Sequence, residues 1–296
     1  MKSALKFSRR SVTSVTSSSA SLAGEPSVEI RPRPGFLQGS LGPLFILYYP
    51  PSPAIPPRGS ILYIHPFAEE MNKSRRMIAL QARRFAAAGF GVLQPDLYGC
   101  GDSGGDFAAA RWTVWQADLR LCLDWLPARS ATPLYLWGLR LGCLLAAELA
   151  RQVQATGSIL WHPVINGATA LTQFLRLRLA AAMLDGTQET LARLRAELAA
   201  GRTVEVAGYE LHPELATALE QARLAAPAAG SRVNWFELVV TPERGLAPAS
   251  QQLLAQWRGA GVSVNARTVV GEPFWSTQEI TGVPALLEAT SHSLDA

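Results

Sequence analysis

The stretch from Pro133 to Ala150, PLYLWGLRLGCLLAAELA, constrains this chain more than any other. A continuous apolar strand runs through Gly138-Leu139-Arg140-Leu141-Gly142 directly into a helix. In a Gly-x-Ser-x-Gly elbow the two glycines permit a strained strand-to-helix turn that lifts the central side chain above the edge of a sheet. Here both glycines are present, and the central residue is Arg140. A guanidinium stays protonated at any physiological pH and is no nucleophile. The sequence therefore specifies the turn and withholds the serine.

The rest of the chain alternates in the same way. LFILYY and SILYIHPF read as apolar strands separated by the Pro-rich loop PPSPAIPPRG. Ser74 is expected to cap a helix with Met77, Leu80, Ala82 and Phe85 near one face, stopped by Gly89. FGVLQPDLYGCGDSGGDF follows as strand and Gly-rich loop, and Trp115, Leu119, Cys122 and Leu126 recur at helical spacing before a break between Pro127 and Pro133. Beyond the elbow come the strand SILWHPVING, then VNWFELVV, a helix in LAPASQQLLAQWRGAG, the last strand VNARTVVGEPFW and a terminal helix in VPALLEATSHSL. Apolar strands alternating with amphipathic helices indicate an α/β fold with a mainly parallel sheet flanked by helices. Between the strands, residues 169–228 change to an Ala, Leu and Arg pattern and read as a helical cap insertion, the region expected to select a ligand. Trp112, Trp115, Trp125 and Trp137 are expected in the core.

Length and charge narrow the class. A chain of 296 residues that is 48% hydrophobic and 17% charged suits one large domain, expected over 35–296. Its net charge of +4 is carried wholly by residues 1–34, which hold Lys2, Lys6, Arg9, Arg10, Arg31 and Arg33 against Glu25 and Glu29. The remainder is neutral, which argues against nucleic acid as a partner. Residues 1–34 are rich in Ser and Arg; they read as a disordered extension, although the composition also suits an organellar transit peptide. No run is apolar enough to span a membrane. Cys100, Cys122 and Cys143 are widely spaced with no CxxC, so neither a disulfide framework nor a metal site is expected, and no cofactor is implied. A reducing, cytoplasmic location is the simpler reading.

The HPF strand end, the DLYGCGDSGGDF loop, the GLRLG elbow and the late cap together resemble the α/β-hydrolase superfamily over roughly residues 36–290. More narrowly, HPFAEEMNKSRR and WGLRLG resemble the exosortase A system-associated hydrolase 2 group. That resemblance implies an ester or acyl hydrolase role in bacterial envelope or exopolysaccharide metabolism, a small-molecule or lipid-linked substrate, and exosortase-pathway proteins as partners. It also implies an acid after the strand VNWFELVV and a histidine after the last strand. Glu243 stands at the acid position, while Gly271-Glu272-Pro273-Phe274-Trp275 occupies the histidine position and His292 falls in the terminal helix. Two of the three members of a serine triad are thus missing. The expected consequence is an anionic or ester metabolite bound with atypical hydrolysis, or a non-catalytic scaffold in the same pathway.

Arg140 can bind an anionic ligand group at a helix N-terminus, or can form an internal ion pair with Glu69, Glu70 or Glu243. Glu69 and Glu70 can serve as general base toward water, or simply complement the dipole of the helix they open. His65 matches the histidine opening the superfamily's HGGG-like loop, where it is more often structural than catalytic. The resemblance assigns the oxyanion-hole amides to Phe67 and Leu141. His162 ends a strand and can face the pocket or pack, and Trp275 is expected to line the pocket. Cys100 and Ser103 are weak replacement nucleophiles without a partner base.

Overall fold

The computed structural model describes residues 30–126 and 133–294. The expected break at Pro127–Pro133 lies almost wholly outside these residues, as does the N-terminal extension up to residue 29. Arg33 and Pro34, placed with that extension by composition, already belong to the first strand.

Ten strands and eight α-helices are present among the described residues. In chain order they are β1 (Arg33–Gln38), β2 (Pro43–Tyr49), β3 (Gly59–Ile64), α1 (Glu69–Ala87), β4 (Phe90–Pro95), α2 (Trp112–Trp125), β5 (Leu134–Leu139), α3 (Gly142–Ala150) and β6 (Gly157–Trp161). The insertion follows with α4 (Gly167–Leu184), α5 (Leu191–Ala199), β7 (Val204–Val206), β8 (Tyr209–Leu211) and α6 (Pro213–Gln221). β9 (Arg232–Val239), α7 (Pro248–Gly259), β10 (Ser263–Val270) and α8 (Pro284–His292) complete the chain.

Eight strands form one sheet in the order β1-β2-β4-β3-β5-β6-β9-β10, in which only the β1–β2 and β2–β4 pairings are antiparallel. β3 and β5 are neighbours from which the chain winds outward in opposite directions. In an open parallel sheet that switch point leaves a crevice at the carboxyl ends of the two strands. The segments after β3 and β5 are Phe67 to Glu70 and Arg140 to Gly142, so the topology brings the oxyanion-loop candidate to the elbow.

Strand residues alternate between two cores. Leu62, Leu93, Leu136, Leu160 and Trp235 pack with Trp115, Leu119, Leu144 and Trp257 on one face. Ile61, Val92, Trp137, Ile159 and Phe236 pack with Met77, Phe85 and Leu286 on the other. Both faces of the sheet are therefore dry, which is why its strands read as unbroken apolar runs.

Several local expectations are corrected. α1 begins at Glu69, and Ser74 lies inside it with its hydroxyl donating to the Glu70 carbonyl at 2.6 Å. The acidic first turn marked the true start, since carboxylates favour a helix N-terminus. Leu80 and Trp125 are about two-fifths exposed, off the buried stripes of their helices. The last strand stops at Val270, and Phe274 and Trp275 fold back into the core beyond Pro273, which has no N–H to extend a ladder.

Candidate functional site

Steric pressure forces the elbow to use its two glycines. A Cβ on Gly138 would come within 2.8 Å of the Cys143 backbone, and one on Gly142 within 2.3 Å of the Ile64 carbonyl oxygen. Between them Arg140 adopts φ 54°, a left-handed conformation that costs a non-glycine residue about 1–2 kcal/mol. Its amide donates to the Trp161 carbonyl at 3.0 Å and its carbonyl accepts from Val164 N at 3.2 Å, which ties the turn to the end of β6.

The Arg140 side chain is held on two sides. Its Nε donates to Glu70 Oε1 at 3.2 Å, and its guanidinium carbon lies 5.2 Å from the centre of the Trp275 ring. Both charged side chains are largely buried, at 16% and 19% exposure. Among the described residues, neither Nη of Arg140 makes a hydrogen bond to protein. The outer edge of the guanidinium fork is thus unengaged, and it borders a cavity of about 320 Å³. Phe67, Glu69, Glu70, Lys73, Leu141 and Trp275 line that cavity with it. The amides of Phe67 and Leu141 donate to no protein acceptor among the described residues.

The carboxylates have distinct environments. Burial raises Glu70 above the usual carboxylate range, against the lowering effect of Arg140. Burial also raises Glu69, whose Oε2 is buried without a hydrogen-bond partner. The first turn of α1 therefore brings to one cavity a carboxylate paired with Arg140 and a second with one oxygen left unpaired.

The remaining candidates are not all gathered here. His65 is buried with both ring nitrogens occupied, Nδ1 by the Pro66 carbonyl at 2.7 Å and Nε2 by Leu97 N at 3.3 Å, so it fixes the loop after β3 and does not reach the cavity. Glu243 is exposed on the loop after β9 and borders a different cavity; it makes no ion pair with Arg140 among the described residues. The buried carboxylate near that end of the sheet is Glu237, which accepts from Trp235 Nε1 and Ala247 N, both at 2.9 Å. A lone acid inside the apolar run VNWFELVV was the available signal for it.

His162, with φ 43°, packs its ring 4.8 Å from that of Trp275 and accepts the Leu238 amide at Nδ1. Burial, reinforced by Arg140, pushes its pKa down to about 4. It borders the adjoining cavity of about 440 Å³, which shares Arg140 and Gln173 with the first. His292 is exposed. Burial drives the thiols of Cys100 and Cys143 far upward, and Ser103 is consumed as donor to the Asp96 carbonyl and acceptor from Phe45 N, so none of these is set up as a nucleophile. Among the described residues no group of three His, Cys, Asp or Glu could hold a metal, and no helix is long and apolar enough to cross a membrane.

Residues 55–228, more than half of the chain, match the Hydrolase_4 family model, described as serine aminopeptidase, S33. The chain belongs to this α/β-hydrolase family. Among solved structures, a serine hydrolase without a lid from Xanthomonas campestris is 15% identical with a TM-score of 0.55, over 92% of this chain and 97% of its own. Est1E from Butyrivibrio proteoclasticus, solved with ferulic acid bound, is 16% identical with a TM-score of 0.58, over 88% and 97%. At such identities these likenesses concern the fold alone. No curated protein matches the chain in sequence. Family and fold agree on an α/β-hydrolase chain, and the residue between its elbow glycines is Arg140.

Proposed function

We propose that this α/β-hydrolase-family chain binds an anionic or ester-bearing metabolite at Arg140, and that it does not use a serine nucleophile. One observation carries the reading: Glu70 and Trp275 hold the guanidinium, its Nη groups have no protein partner among the described residues, and the side chain lines the cavity. An arginine steered through Nε and free at both Nη groups presents the geometry that pairs with carboxylate or phosphate oxygens. The sequence likeness to exosortase-associated hydrolases supports an envelope or exopolysaccharide metabolite as the source of that anion. Calorimetric titration with short carboxylates and phosphate monoesters tests it. Wild type should bind and Arg140→Ala should lose at least about tenfold in affinity, the value of one charge-assisted contact. Equal affinity in both proteins, or stoichiometric serine labelling by a fluorophosphonate, would overturn it.

Water-mediated ester hydrolysis is a second reading, favoured by Glu69, which lines the same cavity and whose pKa burial raises. A partly desolvated carboxylate with a raised pKa is suited to take a proton from attacking water, with the Phe67 and Leu141 amides and Arg140 receiving the oxyanion. Glu69→Gln should then lower turnover of an ester panel by about 100-fold, with no burst of product. Unchanged turnover in Glu69→Gln and Glu70→Gln would leave binding alone.

A further inference from the structure

The cap helix α4 differs from its neighbours in what it shows to solvent. Its buried side carries Leu171, Phe174, Leu175 and Ala182. Flanking that side, Ala170, Gln173, Leu177, Ala180, Ala181 and Leu184 fall within about 100° of the helix circumference at 100° per residue. That stripe holds no charge, and Leu177 and Leu184 on it are 40% and 89% exposed. The exposed positions of α5 and α6, by contrast, include Arg193, Arg195 and Glu214. The charged residues of α4 lie off the stripe, with Arg178 paired to Glu189.

The stripe also begins inside the candidate site. Ala170, Gln173 and Leu177 line the cavity that contains Arg140, and Ala180, Ala181 and Leu184 continue the same face outside it. From Ala170 to Leu184 the track is about 21 Å long at 1.5 Å per residue. A cation at the inner end and an uncharged apolar track leading outward match one ligand chemistry in both charge and polarity.

We infer that the ligand is a single-chain amphiphile with a carboxylate head, the head on Arg140 and the acyl chain laid along α4 past Leu177 to Leu184. This rests on the proposed anion site and adds the ligand's class and direction. Nothing covalent is required. A methylene moved from water onto an apolar surface strengthens binding by roughly threefold, so the track should be legible as a dependence on chain length.

The test is titration of the full chain with monomeric hexanoate, decanoate and tetradecanoate, using wild type, Arg140→Ala and the double variant Ala181→Glu/Leu184→Glu. Both altered positions of the double variant are exposed and lie outside the cavity, so its fold and hexanoate affinity should match wild type. Tetradecanoate should bind wild type at least about tenfold tighter than decanoate, and that gain should vanish in the double variant. A wild-type affinity that stops rising at decanoate overturns the inference, while Arg140-dependent hexanoate binding would leave the anion site standing. No hexanoate binding by wild type, or hexanoate binding that Arg140→Ala leaves unchanged, would sink the anion site itself. Dimerisation of wild type that Leu184→Glu abolishes, or binding to anionic phospholipid vesicles without affinity for monomeric tetradecanoate, would assign the stripe to a second copy or to a membrane surface and overturn the inference too.

Discussion

Helix α1 carries two arginine–carboxylate pairs, and they differ in how completely they are satisfied. Near its middle, Arg75 donates to both oxygens of Asp96, at 3.4 and 2.9 Å, and Asp96 Oδ2 also accepts the Asp102 amide at 2.9 Å. At its start, Glu70 meets Arg140 through one bond, and the outer nitrogens of that guanidinium have no protein partner among the described residues. Next to the first pair His65 has both nitrogens bonded, whereas next to the second Glu69 keeps a buried oxygen unpaired. Buried polar groups left unsatisfied cost free energy, so a fold retains them where something outside the protein completes them. Saturation fits the Asp96 pair as support for the loop after β4, and its absence is what supports the proposed ligand site at the Arg140 pair.

The largest effect that could break this contrast is on stability. Asp96→Ala removes the bidentate pair and the Asp102 cap together. Breaking a buried pair by deleting one partner costs about 3–5 kcal/mol, reduced here because the Arg75 side chain is 44% exposed and keeps access to water. A loss of about 2–4 kcal/mol in urea unfolding, with unchanged denaturant slope, is expected. A loss below about 1 kcal/mol would mean that saturation does not measure structural importance.

His162 sharpens the contrast, since it stands beside Arg140 and yet has Nδ1 committed to Leu238 N. Its pKa is near 4 when folded and about 6.5 when unfolded, so between these values the unfolded chain binds more protons. The stabilising contribution of neutral His162 is complete above about pH 6.5 and declines as pH falls toward 4, by up to about 3 kcal/mol. Asp118, raised by burial to about 6, and the raised Glu69 and Glu70 oppose it by favouring the fold as pH falls, so the total profile mixes these contributions. The difference between wild type and His162→Asn isolates the histidine, because asparagine tolerates the left-handed backbone. Equal pH dependence in the two proteins would place the His162 ring in contact with water.

How much of this was legible beforehand depended on what each residue type reports. The sheet, the elbow and the late cap were readable because their signals are local: apolar runs, two glycines and a change of composition at 169. Arg140, Glu69 and Glu70 are marked by the elbow and by the helix start, and Phe67, Leu141 and Trp275 by the family resemblance; all six line one cavity. The partner of Arg140 was not readable, because Glu69, Glu70 and Glu243 are equivalent until the β3–β5 switch point brings α1 to the elbow. Glu243 looked correctly placed by chain order, but its loop turns it to solvent, while Glu237 is drawn inward by the indole of Trp235. The unpartnered face of α4 is not visible in composition, which is all that marks residues 169–228 as an insertion; it emerges only once the helix fixes the spacing.

The smallest expected effect is also the most discriminating. Arg140→Gly removes the ion pair and, with it, the left-handed strain of a residue at φ 54°. Leaving Glu70 without its cation costs about 1–2 kcal/mol at neutral pH, and part of this cost disappears below the raised Glu70 pKa, where the carboxyl is neutral. Glycine at a left-handed position returns about 1 kcal/mol, which Arg140→Ala does not recover. Arg140→Gly should therefore stay within about 1 kcal/mol of wild type at pH 7 and gain on it as pH falls, while Arg140→Ala lies lower by about 1 kcal/mol throughout. Both should lose binding of short carboxylates to the same extent, because binding needs the guanidinium and stability does not. If Arg140→Gly instead unfolds as readily as Asp96→Ala, the two pairs on α1 are alike, and the elbow arginine serves the fold.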